Sequence, residues 1–279
     1  MGRRTGRRCY FRDHLLFGPI VSAAHKTRGA LLRLASRAAD SHPAVRRAVD
    51  RRLHSPGHRA RKRFYAQFVG PGDLVFDVGA NMGNRTDVFQ DLGATVVAVE
   101  PQAACQQELA RRYGEHPRVH LVDAGLGPEP GARVLYVGSE HTLTTMSPDW
   151  IDATRRSGRF ATYSWTEQGS VPITTLDRLV DEFGTPRFCK IDVEGFEVEV
   201  LEGLSRPLQV VSLEFAAEFL DRTRAALAIL AALGARRFNL SSGESYALDL
   251  AAWVDRETVE AELAGLPKLA FGDVYARFD

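Results

Sequence analysis

Residues 75–86 read VFDVGANMGNRT. Leu74–Val78 is a short apolar run after the turn Gly70-Pro71-Gly72-Asp73, the pattern of a buried strand. The turn Gly79-Ala80-Asn81-Met82-Gly83 follows, with two glycines free to take positive φ and to let other backbone approach closely. Met82, Thr86, Phe89 and Leu92 then recur at helical spacing. A strand, a glycine turn and a helix whose first N–H groups can receive a carboxylate or a phosphate form the opening unit of a nucleotide-binding α/β fold.

Working outward, the same alternation continues. Thr95–Val99 reads as a strand, Gln102–Tyr113 as a helix, and Val119–Val122 and Arg133–Val137 as strands. Phe188–Val193, Val210–Phe215, Phe238–Leu240 and Val274–Phe278 are further strands, with helices over Glu197–Leu204 and Leu220–Leu233. Strands alternating with helices predict a mainly parallel sheet flanked by helices, with ligands outside the C-terminal strand ends.

The second strand ends in Glu100-Pro101, and Glu100 lies 21 residues after Gly79. An acid there can accept both ribose hydroxyls of an adenosine. The turn is GxxxG rather than the GxGxxG of dinucleotide binders, and Asp77 lies inside the strand end. A pyrophosphate would face Asp77 with like charge, whereas an ammonium would suit it. S-adenosylmethionine has a ribose, an adenine and an amino group but no phosphate, so it is the expected cofactor.

Lys190, Asp192 and Glu194 alternate at one strand end, which predicts a shared face, and Glu214 ends the next strand. Four ionisable groups at adjacent strand ends are costly to bury unless paired or used. Three uses are open: a general base for a hydroxyl, a divalent-cation site, or hydrogen bonding to the cofactor amine or a sugar-like substrate. Asp192 or Glu194 is expected near the transferred group with Lys190 as electrostatic partner, and no metal is assigned. His141, in the loop SEHTLTT, is a further candidate base.

The blocks VFDVGANMGNRT (75–86), VVAVEP (96–101), VPITTLDRLV (171–180), KIDVEGFEVEVLEG (190–203) and VSLEF (211–215) resemble the FkbM-type S-adenosylmethionine-dependent methyltransferases over about residues 70–216. The resemblance implies a class I methyltransferase (Rossmann-like) fold and methyl transfer, usually to a hydroxyl oxygen. It implies that Asp77, Gly79, Asn81 and Gly83 line the methionine and ribose side, that Glu100-Pro101 holds the ribose, and that Asp123-Ala124 sits at the adenine edge. The chain reads Asp123 where that family more often has Asn.

Composition limits the alternatives. Of 279 residues, 44% are hydrophobic and 25% charged, which excludes wholesale disorder, and no apolar stretch is long enough for a polytopic membrane protein. The net charge of +1 hides a split. Residues 1–63 hold 17 of 36 Lys+Arg against three acids, a net of +14, and the remainder is −13. The expected organisation is therefore a basic helical extension, 1–63, with amphipathic helices over 28–39 and 44–53, and a methyltransferase domain, 64–279. The turn signal Ser55-Pro56-Gly57 falls between them.

Cys9, Cys105 and Cys189 are widely spaced and form no CxxC, which points to a reducing, cytoplasmic setting. Arg3, Arg4, Arg7 and Arg8 precede Leu15–Ala24 somewhat as in a targeting signal, but Gly18-Pro19 interrupts the run and basic chain follows it. The expected partner is a sugar, glycan or natural product with a free hydroxyl. Residues 1–63 are expected to pack as a lid or dimer arm on the acidic body, and peripheral membrane contact through them and a homodimer are further expectations. An RNA acceptor drawn by the basic segment and an inactive binding module are the alternatives.

Overall fold

The computed structural model describes residues 56–279. The two expected basic helices, and with them any lid, arm or membrane role of that segment, lie outside the described residues.

The central sheet is built by Leu74–Val78 (β1), Thr95–Val99 (β2), Val119–Val122 (β3), Phe188–Ile191 (β7), Val210–Ala216 (β8), Arg237–Ser242 (β9) and Phe271–Arg277 (β10). Its order is β3-β2-β1-β7-β8-β10-β9. The first five are parallel, and β10 runs antiparallel between β8 and β9. This is the mainly parallel, class I methyltransferase architecture expected.

Side-chain alternation assigns each strand to two layers. Phe76, Val78, Val97, Val99, Cys189, Ile191, Val211 and Leu213 face one core, shared with helices Leu176–Phe183 (α5), Glu197–Glu202 (α6), Leu220–Ala232 (α7) and Arg256–Ala264 (α8). Val75, Val96, Ala98, Phe188 and Val210 face the other, shared with Pro56–Tyr65 (α1), Asn84–Asp91 (α2) and Ala103–Tyr113 (α3). Pro56 opens α1 rather than a turn, consistent with a fixed φ suited to a first helical position. Phe64, Tyr65 and Phe68 follow, and Phe68 stacks on Phe188 at 5.5 Å and Tyr275 at 5.2 Å.

A second sheet has the order β4-β6-β5, from Gly125–Leu126 (β4), Gly131–Gly138 (β5) and Trp165–Thr174 (β6); the sequence reading has β5, as Arg133–Val137, but neither β4 nor β6. β6 is largely exposed and carries Gly169 and Pro172, so it lacks the alternating pattern of a core strand. Pro148–Ser157 (α4), capped by the Ser147 hydroxyl, was also not expected. It places Trp150 beneath Gly195, where a Cβ would stand 2.4 Å from the indole.

β1 lies between β2 and β7, which is the switch point of the sheet. The C-terminal ends of five parallel strands open there. Because β10 is antiparallel, its first residues, Phe271–Asp273, arrive at the same edge.

Candidate functional site

A cavity of about 250 Å³ opens at this edge. Gly79–Asn81, Val99–Pro101, Ala124–Leu126, Asp192–Glu194 and Glu214 line it from the strand ends. His141–Met146 and Gly243–Glu244 contribute further wall.

The glycine turn fixes one side. Gly79 has φ 81°, and a Cβ there would lie 1.8 Å from the Asp192 carbonyl oxygen, so only glycine fits. Two residues on, the non-glycine Asn81 is itself left-handed at φ 49°. Its N–H donates to Glu100 Oε2 at 2.8 Å, and its Nδ2 donates to the His141 carbonyl at 2.9 Å. The Gln102 N–H donates to Glu100 Oε1 at 2.8 Å. Both Glu100 oxygens are thus pinned from behind, each with acceptor capacity left. Burial raises the Glu100 carboxyl to about 7, against the opposing pull of these two N–H groups.

The opposite side is acidic. β7 ends at Ile191, not Val193, so the shared-face argument for Lys190, Asp192 and Glu194 does not hold as stated. Glu194 instead turns back at φ 54°, and its carbonyl accepts from Thr145 Oγ1 at 2.7 Å. That turn, rather than strand alternation, gathers Asp192, Glu194 and Glu214, whose carboxylate oxygens can all lie within 4.8 Å of one another. Lys190 is fully buried beneath them, and its Nζ donates to Asp192 Oδ2 at 3.1 Å and Asp273 Oδ1 at 3.0 Å.

These contacts divide the acids. Burial opposes ionisation of Asp192, but the Lys190 and Arg85 charges outweigh it and hold that carboxyl below its usual value. Burial and then the neighbouring acids push Glu194 and Glu214 well above theirs. The cluster therefore joins one carboxyl that ionises readily to two whose ionisation is opposed. Lys190 is raised by Asp192 and Asp273 despite its burial, so it stays an ammonium.

Gly79, Asn81, Glu100, Pro101, Ala124, His141, Asp192, Glu194 and Glu214 therefore meet in one cavity. Asp77, Gly83, Asp123 and Lys190 are not on its wall. Asp77 is buried below the turn and accepts from Thr86 Oγ1 at 2.6 Å, its carboxyl raised by burial to about 6. Gly83 starts α2 against Tyr113, and Asp123 is exposed. His141 lines the cavity, and its Nδ1 is buried without a hydrogen-bond partner. Sequence reading missed Arg61, Arg85, Thr144 and Asp273, all on the wall. Arg85, two residues past the glycine turn, reads as an ordinary charged residue of a helix. Asp273 carries no signal, since its place depends on long-range antiparallel pairing.

The residues suit S-adenosylmethionine. Glu100 offers two acceptors for vicinal hydroxyls, and Val78, Leu126, Leu135 and Met146 supply apolar wall near Ala124. Asp192 and the acids around it suit a positively charged group.

The Methyltransferase FkbM domain matches residues 77–238, more than half of the chain. Hexuronic acid methyltransferase AglP of Haloferax volcanii is 29% identical over 145 residues, 50% of this chain and 53% of that protein. The chain thus spans about half the length of this curated relative. Among solved structures, a TehB-like SAM-dependent methyltransferase from Corynebacterium glutamicum aligns with a TM-score of 0.42 and 11% identity, over 87% of this chain and 99% of that one. Fibrillarin from Aeropyrum pernix, solved with natively bound S-adenosyl-L-methionine, aligns with a TM-score of 0.41 and 9% identity, over 79% and 75%. On the extent of the domain match, the chain belongs to the FkbM methyltransferase domain family.

Proposed function

We propose that the protein transfers a methyl group from S-adenosylmethionine to a hydroxyl oxygen of a sugar acid or a glycan containing one. The observation that carries this reading is the pairing, in one cavity, of the doubly anchored Glu100 with the ionised Asp192. The relative from Haloferax volcanii is named as a hexuronic acid methyltransferase, which supports the acceptor class.

When bound, the cofactor supplies an electrophilic methyl group on a sulfonium. Glu100 holds the ribose, and Gly79 and Asn81 shape the adjoining wall. Glu194 and Glu214, as neutral acids, are hydrogen-bond donors to the acceptor or to Asp192. Asp192 receives the hydroxyl proton as the oxygen–carbon bond forms. A weak base suffices, because the oxygen becomes strongly acidic as it is alkylated. Most of the acceleration is assigned to orientation, which can supply roughly 7–11 kcal/mol.

The acid trio could also hold a divalent cation. The Lys190 ammonium already neutralises Asp192, and a cation would meet its repulsion. Turnover is therefore expected to survive dialysis against a chelator. Loss on chelation and recovery on adding Mg²⁺ would instead assign the trio to a metal.

The cofactor half is tested by calorimetry with S-adenosylhomocysteine. Glu100→Ala is expected to abolish measurable binding. In the wild type, Glu100 must be ionised to accept both hydroxyls, so binding releases its proton. Affinity should therefore rise with pH up to about 7 and then level off. Below that it should fall by about tenfold per unit. A flat profile across this range, or full affinity in Glu100→Ala, removes Glu100 from the ribose.

A further inference from the structure

Two arginines line the cavity whose acids define the site. Arg85, in the first turn of α2, has a 21% exposed side chain and a buried Nε with no hydrogen-bond partner. Its guanidinium lies 6.0 Å from the centre of the Tyr246 ring. Arg61 lies over the same ring at 5.5 Å and donates Nε–H to the Tyr246 hydroxyl at 2.8 Å. Tyr246 is held at φ 51°, an unusual conformation for a bulky side chain.

Among the described residues, Glu244 is the one carboxylate within 4 Å of either guanidinium. It stands 3.8 Å from Arg85 Nη2, and its side chain is 59% exposed. An exposed pair of that kind is weak and easily exchanged. Asp192 and Asp273 act on Arg85 through space but form no ion pair with it. Arg85 lines the cavity, and a largely buried guanidinium whose one carboxylate contact is as long as 3.8 Å matches a planar anion with two oxygens. The exposed Glu244 shows which ligand type the corner attracts and is easily displaced from it.

We propose that Arg85, braced by Arg61 and Tyr246, is a carboxylate-binding subsite of the cavity, filled by the carboxylate of the acceptor or of the cofactor's methionine. The inference rests on the methyltransferase reading for its ligands, but not on which oxygen is methylated.

The test is calorimetry on the full chain, wild type against Arg85→Gln, with two ligand pairs. S-adenosylhomocysteine is compared with 5′-methylthioadenosine, which keeps the nucleoside and lacks the carboxylate. D-glucuronate is compared with D-glucose, with and without S-adenosylhomocysteine. The subsite predicts that Arg85→Gln weakens one carboxylate ligand about 10–100-fold more than its partner, the range of a charged hydrogen bond. Selective loss on S-adenosylhomocysteine assigns the cofactor's carboxylate, and selective loss on glucuronate assigns the acceptor's. Unchanged 5′-methylthioadenosine binding shows that the variant is folded. Glu244→Gln should strengthen the same ligand. If both ratios stay within about twofold of wild type, the subsite is overturned. A wild type that binds neither nucleoside sinks the cofactor reading instead, and the glucuronate pair still decides this one.

Discussion

Asp192 lies 3.1 Å from the Lys190 ammonium, a contact it shares with Asp273 at 3.0 Å and one that separates it from Glu194 and Glu214. Glu194 and Glu214 lack that contact, and burial and the neighbouring acids push their carboxyls well above the usual value. The difference gives an asymmetric set of substitutions. Glutamine mimics a protonated glutamate, so Glu194→Gln and Glu214→Gln are each expected to keep turnover within about tenfold, whereas Asp192→Asn should lose about 10²–10⁴-fold. Steady-state rates with S-adenosylhomocysteine affinity measured alongside check this. An Asp192→Asn rate close to wild type would remove it as the base. These acids were legible because they sit in one short block, 190–194, and at one strand end. Arg85 and Asp273 were not. Arg85 reads as an ordinary charged residue in a helix, and Asp273 reaches Lys190 only because β10 inserts beside β8, a pairing 83 residues away in sequence.

At the scale of elements, two tight turns carry the site, and they touch. Gly79, ending β1, leaves room for the carbonyl of Asp192, ending β7. Gly79→Ala must both hold a left-handed alanine, at about 1–3 kcal/mol, and push the two strand ends apart. We expect a loss of stability beyond about 3 kcal/mol in denaturant titrations, together with loss of cofactor binding. A stable, fully active Gly79→Ala would contradict the contact. Below these turns runs a buried polar row, Asp77, Lys190, Ser212, Tyr275 and Asn239, paired strand to strand across the sheet. The strands of the parallel half, and the helices over Asn84–Asp91, Ala103–Tyr113, Glu197–Glu202 and Leu220–Ala232, were readable because apolar periodicity is strong where both faces are buried; the short helix Leu176–Phe183 was not. β4 has two residues and β6 faces solvent, so neither leaves a periodic trace.

For the whole molecule, the order β3-β2-β1-β7-β8-β10-β9 explains why residues from 79 to 273 share one cavity. The described body contains every block that carried the family resemblance, and it is the acidic part of the chain. No helix among the described residues is long and apolar enough to cross a membrane. The cavity combines an acidic wall with an arginine corner, which suits a cationic methyl donor beside an anionic sugar. The most direct test supplies the full chain with S-adenosylmethionine carrying an isotopically labelled methyl group and a glucuronate-containing glycan, followed by mass spectrometry before and after mild alkali. The expected product carries the label as an alkali-stable ether, and Asp192→Asn makes little of it. Absence of labelled glycan, or a label released by alkali as a carboxyl ester, would contradict transfer to a hydroxyl.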